Sequence, residues 1–123
     1  MIVSRKVSFD AAHFLPGYQG KCSQMHGHHW VVELAVEGEV KDNGMVIDFV
    51  ELKKFLGLVE ETFDHGLVND TIKNPTAENI CLWIEDRFKL WKTDVRLNFK
   101  EIGVGLAWIK VWESEDSYAM AEG

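Results

Sequence analysis

Cysteine is nearly absent from the chain, with two residues among 123. Cys22 and Cys81 stand in unrelated contexts, so a disulfide framework is excluded and a reducing compartment is expected. Long apolar runs are also missing. No stretch approaches the roughly 20 residues needed to span a bilayer, and the opening Met-Ile-Val-Ser-Arg-Lys-Val lacks the apolar core of a signal peptide. These absences predict a cytoplasmic protein without a membrane partner. Basic residues are the minority: 13 Lys and Arg against 20 Asp and Glu leave a net charge of −7, with no local basic patch, which argues against a nucleic-acid partner. Pro- or Ser-rich linkers, low-complexity tracts and internal repeats are absent too. With 46% hydrophobic residues, the span 1–123 reads as one domain with a real core.

What is present is concentrated chemistry. Cys22-Ser-Gln-Met-His26-Gly-His28 follows Phe9-Asp-Ala-Ala-His13, bringing three imidazoles and one thiol into a short span. In an extended segment, residues two apart share a face with their Cβ atoms roughly 6.6 Å apart, so His26 and His28 can converge on one ion. Trp30, Val32, Leu34 and Val36 continue their parity while His29, Glu33 and Glu37 take the other, and Val7, Phe9 and Ala11 share parity with His13. Three histidines therefore fall on the inward faces of two strands that can pair. One inward histidine is ordinarily a hydrogen-bonded core residue, and the His-x-His spacing alone is a weak signal. Three together point to zinc, held by neutral nitrogens with a fourth position left for substrate. The alternatives are a structural Cys₁His₃ site closed by Cys22, which would make a scaffold without turnover, and a zinc hydrolase. The hydrolase lacks an evident general-base Glu beside the motif.

The element order predicts an α+β fold. Residues 2–12 and 28–40 read as strands, and Asp42-Asn43-Gly44 signals a hairpin into a short strand over 45–47. Asp48 then caps a helix carrying Leu52, Phe55, Leu56, Val59 and Phe63 at helical spacing, with Glu51 three positions after the cap. Thr76 caps a second helix with Ile80, Cys81, Ile84, Phe88 and Trp91 on one stripe. Val95, Leu97 and Phe99, then Ala107, Ile109 and Val111, alternate as later strands. Asp64 and His65 follow the first helix as adjacent residues whose side chains need not touch. Glu113 extends the apolar parity of the last strand and, if buried, needs a specific partner.

Taken in order, Phe9-x-Ala-Ala-His13, Cys22-x-x-x-His26-Gly-His28, Gly44-x-Val-Ile-Asp48-Phe, Asp64-His65-x-x-x-Asn69, Asn74-Pro-Thr76-x-Glu78 and Glu113 resemble the 6-pyruvoyltetrahydropterin synthase/6-carboxytetrahydropterin synthase family over nearly the whole chain. The three residues between Cys22 and His26 resemble the bacterial 6-carboxytetrahydropterin synthases of queuosine biosynthesis, since the pyruvoyl enzymes have a longer gap. The resemblance implies that His13, His26 and His28 bind Zn²⁺, that Cys22 is the proton acceptor, that Asp64 and His65 form a relay activating it, that Glu113 and Thr76 hold the pterin, and that Glu113 is catalytic as well, joining the relay. It implies conversion of 7,8-dihydroneopterin triphosphate to 6-carboxy-5,6,7,8-tetrahydropterin with release of acetaldehyde and triphosphate. On the pyruvoyl branch only triphosphate would leave. It further implies the tunnelling fold: a four-stranded antiparallel sheet with two helices on one face, three subunits closing a β-barrel, and two trimers stacked as a homohexamer. In that assembly Asp64 and His65 reach the site from a neighbouring subunit. Gly66, Val68 and Ala77 depart from the family's usual residues without removing a reactive group. Lys6, Arg5, Lys21 or backbone N–H groups are the candidate phosphate contacts.

Overall fold

In the computed structural model, residues 1–93 and 103–123 are described. Strands β1 (Ile2–His13) and β2 (His26–Glu37) are followed by helices α1 (Phe49–Phe63) and α2 (Ala77–Thr93) and then by strands β3 (Gly105–Ser114) and β4 (Ser117–Glu122). The strands form one sheet in the order β1-β2-β3-β4, each antiparallel to the next. This is the α+β arrangement expected, with α1 packed on β1 and α2 on β3 and β4.

Alternation decides which face the helices cover. Phe9 and Ala11 of β1, Trp30, Val32, Leu34 and Val36 of β2, and Ile109 and Val111 of β3 are all buried. Against them α1 turns Leu52, Phe55, Leu56, Val59 and Phe63, and α2 turns Ile80, Cys81, Ile84, Phe88 and Trp91. Phe9 stacks on Phe63 at 5.6 Å between ring centroids, and Phe55 meets the edge of Phe88 at 5.3 Å, which ties each helix to the same core.

Both helix starts follow the expected chemistry. The Asp48 carboxylate accepts from the Val50 N–H at 2.9 Å, and the Thr76 hydroxyl oxygen accepts from the Asn79 N–H at 3.1 Å, each satisfying one otherwise orphaned donor. Glu51 does not complete a reciprocal cap; its carboxylate takes the Lys54 ammonium at 3.1 Å.

Several boundaries differ from expectation. The paired region of β1 and β2 runs through His13 and back to His26, and β2 ends at Glu37 rather than 40. Asp42-Asn43-Gly44 does make a tight turn, in which the Gly44 N–H donates to Lys41 O at 2.8 Å and Gly44 takes φ 84°, but residues 45–47 form no strand. Val46 and Ile47 are buried among the core side chains instead, so their apolar character serves packing and not pairing. The fourth strand is Ser117–Glu122, whose inward residues Ala119 and Ala121 are too small to announce an alternation. The expected strand at Val95, Leu97 and Phe99 lies outside the described residues.

Candidate active site

The register of the first hairpin builds the site. His13 stands directly opposite His26, and Ala11 opposite His28, so the three imidazoles occupy one cross-strand pair and its diagonal neighbour. One nitrogen from each lies within 4.8 Å of the others. Trp30 closes the floor, with its ring 4.9 Å from that of His13 and 5.5 Å from that of His28, and its indole N–H is spent on Ala11 O at 3.1 Å.

Proton placement shows what the cluster is built to hold. Nδ1 of His13 lies 2.8 Å from the Pro75 carbonyl and Nδ1 of His26 lies 2.7 Å from the Gln24 carbonyl. A carbonyl only accepts, so both rings carry their proton on Nδ1 and present Nε2 as a lone pair. Those two Nε2 atoms face each other at 3.1 Å. Two lone pairs at that distance repel unless a proton or cation lies between them. Nε2 of His28 is the third member, buried and without a hydrogen-bond partner, its nearest charge being Glu113 Oε1 at 3.5 Å. Burial holds the His28 pKa below its ordinary value, against the opposing pull of Glu113 and with smaller contributions from His13 and His26, which favours the neutral form a metal requires. Tetrahedral zinc with Zn–N bonds of about 2.0–2.1 Å sets ligand nitrogens roughly 3.3 Å apart. The donor set, the pinned tautomers of His13 and His26 and the 3.1 Å approach of their Nε2 atoms fit such an ion. The backbone carbonyls of Pro75 and Gln24, which orient the ligands, carry no side-chain signature in the sequence.

The remaining expected residues divide into those near the cluster and those apart from it. Cys22 sits half-buried in the single turn Lys21–Ser23, and its carbonyl accepts from the Leu15 N–H at 2.8 Å, closing the loop between β1 and β2. Among the described residues the ligand cluster is His13, His26 and His28, without Cys22, so the closed Cys₁His₃ arrangement is not formed. The other thiol, Cys81, is pushed up to about 11 by burial between α2 and the sheet and stays protonated at neutral pH. Thr76 is adjacent to Pro75, the partner of His13, with its hydroxyl oxygen engaged as the α2 cap.

Glu113 borders two cavities. One, of about 520 Å³, is shared with His28, Lys6, Val31 and Trp112; the other, of about 430 Å³, is shared with Glu78 at the start of α2 and with Tyr118 of β4.

Asp64 and His65 do touch: His65 Nδ1 lies 2.8 Å from Asp64 Oδ2. His65 adopts φ 57°, a left-handed conformation unusual outside glycine, while its N–H donates to Asp10 O at 2.7 Å. The Asp10 N–H in turn donates to Asp64 Oδ1 at 3.1 Å and, with His65, lowers the Asp64 pKa. Asp10 belongs to the opposite parity from His13, so within one chain the pair stands apart from the histidine cluster. Asn69 has a structural duty that sequence reasoning missed. Its amide accepts from the Phe14 N–H at 3.0 Å and donates to Phe14 O at 2.9 Å, clamping the chain just beyond His13.

The architecture is a four-stranded antiparallel sheet under two helices, carrying a three-histidine cluster where its first two strands meet. The family model described as 6-pyruvoyl tetrahydropterin synthase matches residues 2–123, and the chain belongs to that family. It is 41% identical over 119 residues to the putative 6-carboxy-5,6,7,8-tetrahydropterin synthase of Archaeoglobus fulgidus, covering 97% of this chain and 93% of the relative. It is also 41% identical over 110 residues to the dihydroneopterin monophosphate aldolase of Pyrococcus furiosus, covering 84% of this chain and 94% of the relative. The solved 6-pyruvoyl tetrahydropterin synthase of Caenorhabditis elegans superposes with a TM-score of 0.81 at 26% identity, covering 100% of this chain and 95% of that one. The fold is thus the tunnelling fold of the pterin synthases, and the protein is an enzyme of this family.

Proposed function

We propose that the chain binds zinc through Nε2 of His13, His26 and His28 and converts 7,8-dihydroneopterin triphosphate to 6-carboxy-5,6,7,8-tetrahydropterin, releasing acetaldehyde and triphosphate. The observation that carries the metal half is the 3.1 Å approach of two imidazole nitrogens whose protons are committed elsewhere. The relative from Archaeoglobus fulgidus, matched over 97% of the chain, supports the reaction. A bound zinc ion would supply Lewis acidity toward the oxygens of the substrate side chain. Cys22, held by the loop between β1 and β2, takes the carbon-bound proton with the help of a neighbouring base. His65 is that base. Its side chain is 81% exposed and oriented by Asp64, free to enter a neighbouring subunit's site. Glu113 accepts paired N–H bonds from the aminopyrimidine edge, and Thr76 is the second residue assigned to the pterin.

This reading requires an oligomer. The sheet ends on β1 and β4, and open strand edges of this kind are satisfied by pairing between subunits, as in a trimeric barrel doubled to a hexamer. The product would enter a 7-deazapurine route such as queuosine formation in the cytoplasm. A second reading is favoured by the Pyrococcus furiosus relative: aldol cleavage of dihydroneopterin monophosphate. Both reactions break a carbon–carbon bond of the same side chain.

Incubating the zinc-loaded protein with the triphosphate and, separately, the monophosphate decides between them by mass spectrometry of the pterin and assay of acetaldehyde. 6-Carboxytetrahydropterin with acetaldehyde is expected from the triphosphate. A hydroxymethylpterin from the monophosphate alone would support the aldolase, and pyruvoyltetrahydropterin without acetaldehyde the pyruvoyl branch. Cys22→Ala should retain zinc and lose turnover; joint loss of zinc and fold would revive a structural role for Cys22.

A further inference from the structure

We infer that Trp112 is the positioning residue for Glu113: its ring, packed on Tyr118, fixes the β3–β4 register that aims the Glu113 carboxylate at the pterin edge. This rests on the pterin reading above. Glu113 stands where the sheet lets go of β3. Toward the site the β2–β3 ladder ends at the pair Val31–Trp112, and Trp30, the next residue of β2, pairs only with Phe9 of β1. On the other side Trp112 pairs with Tyr118 and Ser114 with Ser117, so a bulge leaves Glu113 without a partner on β4. An unbulged ladder would set Ser117 opposite Glu113, with the two Cβ atoms about 5 Å apart. The bulged one keeps that flank open, and both residues line the cavity of about 430 Å³ there.

Trp112 is thus the last residue of β3 held on both sides, directly before the carboxylate. With Trp108 and Lys110 it takes the parity opposite to the buried Ile109 and Val111, so it lies on the face away from the helices. Glu113 reaches the helix side, where its Oε1 is 3.5 Å from His28 Nε2. The rings of Trp112 and Tyr118 are 4.4 Å apart between centroids. The Lys110 ammonium braces them, 5.3 Å from the Tyr118 ring and 4.6 Å from that of Trp108. A cross-strand aromatic pair of this kind pins the register next to it. A slip of one residue turns the side chains beyond it to the other face, and Glu113 is the first residue beyond. The ring on one face therefore acts through the backbone on the carboxylate of the other.

Calorimetric titration of the zinc-loaded oligomer with 7,8-dihydroneopterin tests this. Trp112→Ala should weaken binding about tenfold, the scale of one hydrogen bond to a charged group, and leave zinc affinity unchanged. The indole N–H of Trp112 is buried without a hydrogen-bond partner, so Trp112→Phe keeps the ring contact, breaks no bond and should bind the pterin as wild type does. Trp112 also lines the cavity of about 520 Å³ beside His28, so direct contact with the ligand must be separated from action through Glu113. A double-mutant cycle does so: in a Glu113→Gln background, Trp112→Ala should cost little more. Additive losses, or undiminished binding in Trp112→Ala alone, overturn the inference and leave the pterin reading intact. Should Trp112→Ala lose its zinc or its fold, Tyr118→Ala, which leaves β3 unaltered, replaces it in the same cycle with the same expected and overturning results. Failure of the wild type to bind 7,8-dihydroneopterin removes the pterin reading, and this inference with it.

Discussion

The inward face of β2 is one continuous stripe with two different ends. Trp30, Val32, Leu34 and Val36 are fully buried against the helices, while His26 and His28, next on the same parity, are only half-buried and turn toward His13. Backbone geometry treats both ends alike. At the apolar end stability comes from filled volume, and one hydrophobic chain can replace another of similar size. At the imidazole end it comes from where protons sit, since the carbonyls of Pro75 and Gln24 fix which nitrogen of each ring is bare. The same alternation therefore yields a core that tolerates substitution in one half and a ligand set that tolerates almost none in the other.

Trp30 joins the halves, so its removal should have the largest effect. Trp30→Ala empties a fully buried site beneath His13 and His28 and leaves Ala11 O without its indole donor. A loss of about 3–5 kcal/mol is expected, measured by urea unfolding of the metal-free protein, together with weakened zinc binding. A loss below about 1 kcal/mol would mean that the two ends are mechanically independent. A sharper contrast uses neighbours of opposite parity. His26→Ala should lower zinc affinity by more than about 100-fold, since it removes a direct ligand where loss of an orienting partner alone costs 10–100-fold. His29→Ala, exposed and paired with Asp10 at 2.8 Å, should leave zinc affinity unchanged. Competition with a chelating dye reads both, and equal losses would refute the assignment of ligands by parity.

What could be read from the chain tracks the size of the side chains that carry the signal. Large apolar residues at period two or at helical spacing marked β1, β2, α1 and α2, and the histidine parity rode on the same pattern. β4 escaped because its inward residues are Ala119 and Ala121. Residues 45–47 misled because two buried aliphatics, Val46 and Ile47, plug a core as readily as they pair a strand. At the site, the ligand nitrogens were legible but the groups that orient them were not, being backbone carbonyls brought in from Gln24 and Pro75. The contact between Asp64 and His65 depends on a left-handed backbone at His65, which no residue preference announces.

His28 lies where the two halves meet, and its titration should reveal which half governs it. Burial lowers its pKa from the ordinary 6.5 more than the neighbouring Glu113 raises it. In the metal-free protein the unfolded chain therefore binds a proton at His28 before the folded protein does. Stability should be independent of this group well above pH 6.5 and should fall as the pH drops from 6.5 toward the lowered folded value. The effect is small, because His28 keeps partial contact with solvent. It is read as the slope of unfolding free energy against pH in wild type and His28→Gln, where the glutamine should flatten the slope. Glu113→Gln should steepen it, since removing the carboxylate leaves desolvation unopposed. An unchanged slope in Glu113→Gln would mean that the packing His28 shares with Trp30, and not the charge of Glu113, controls the imidazole.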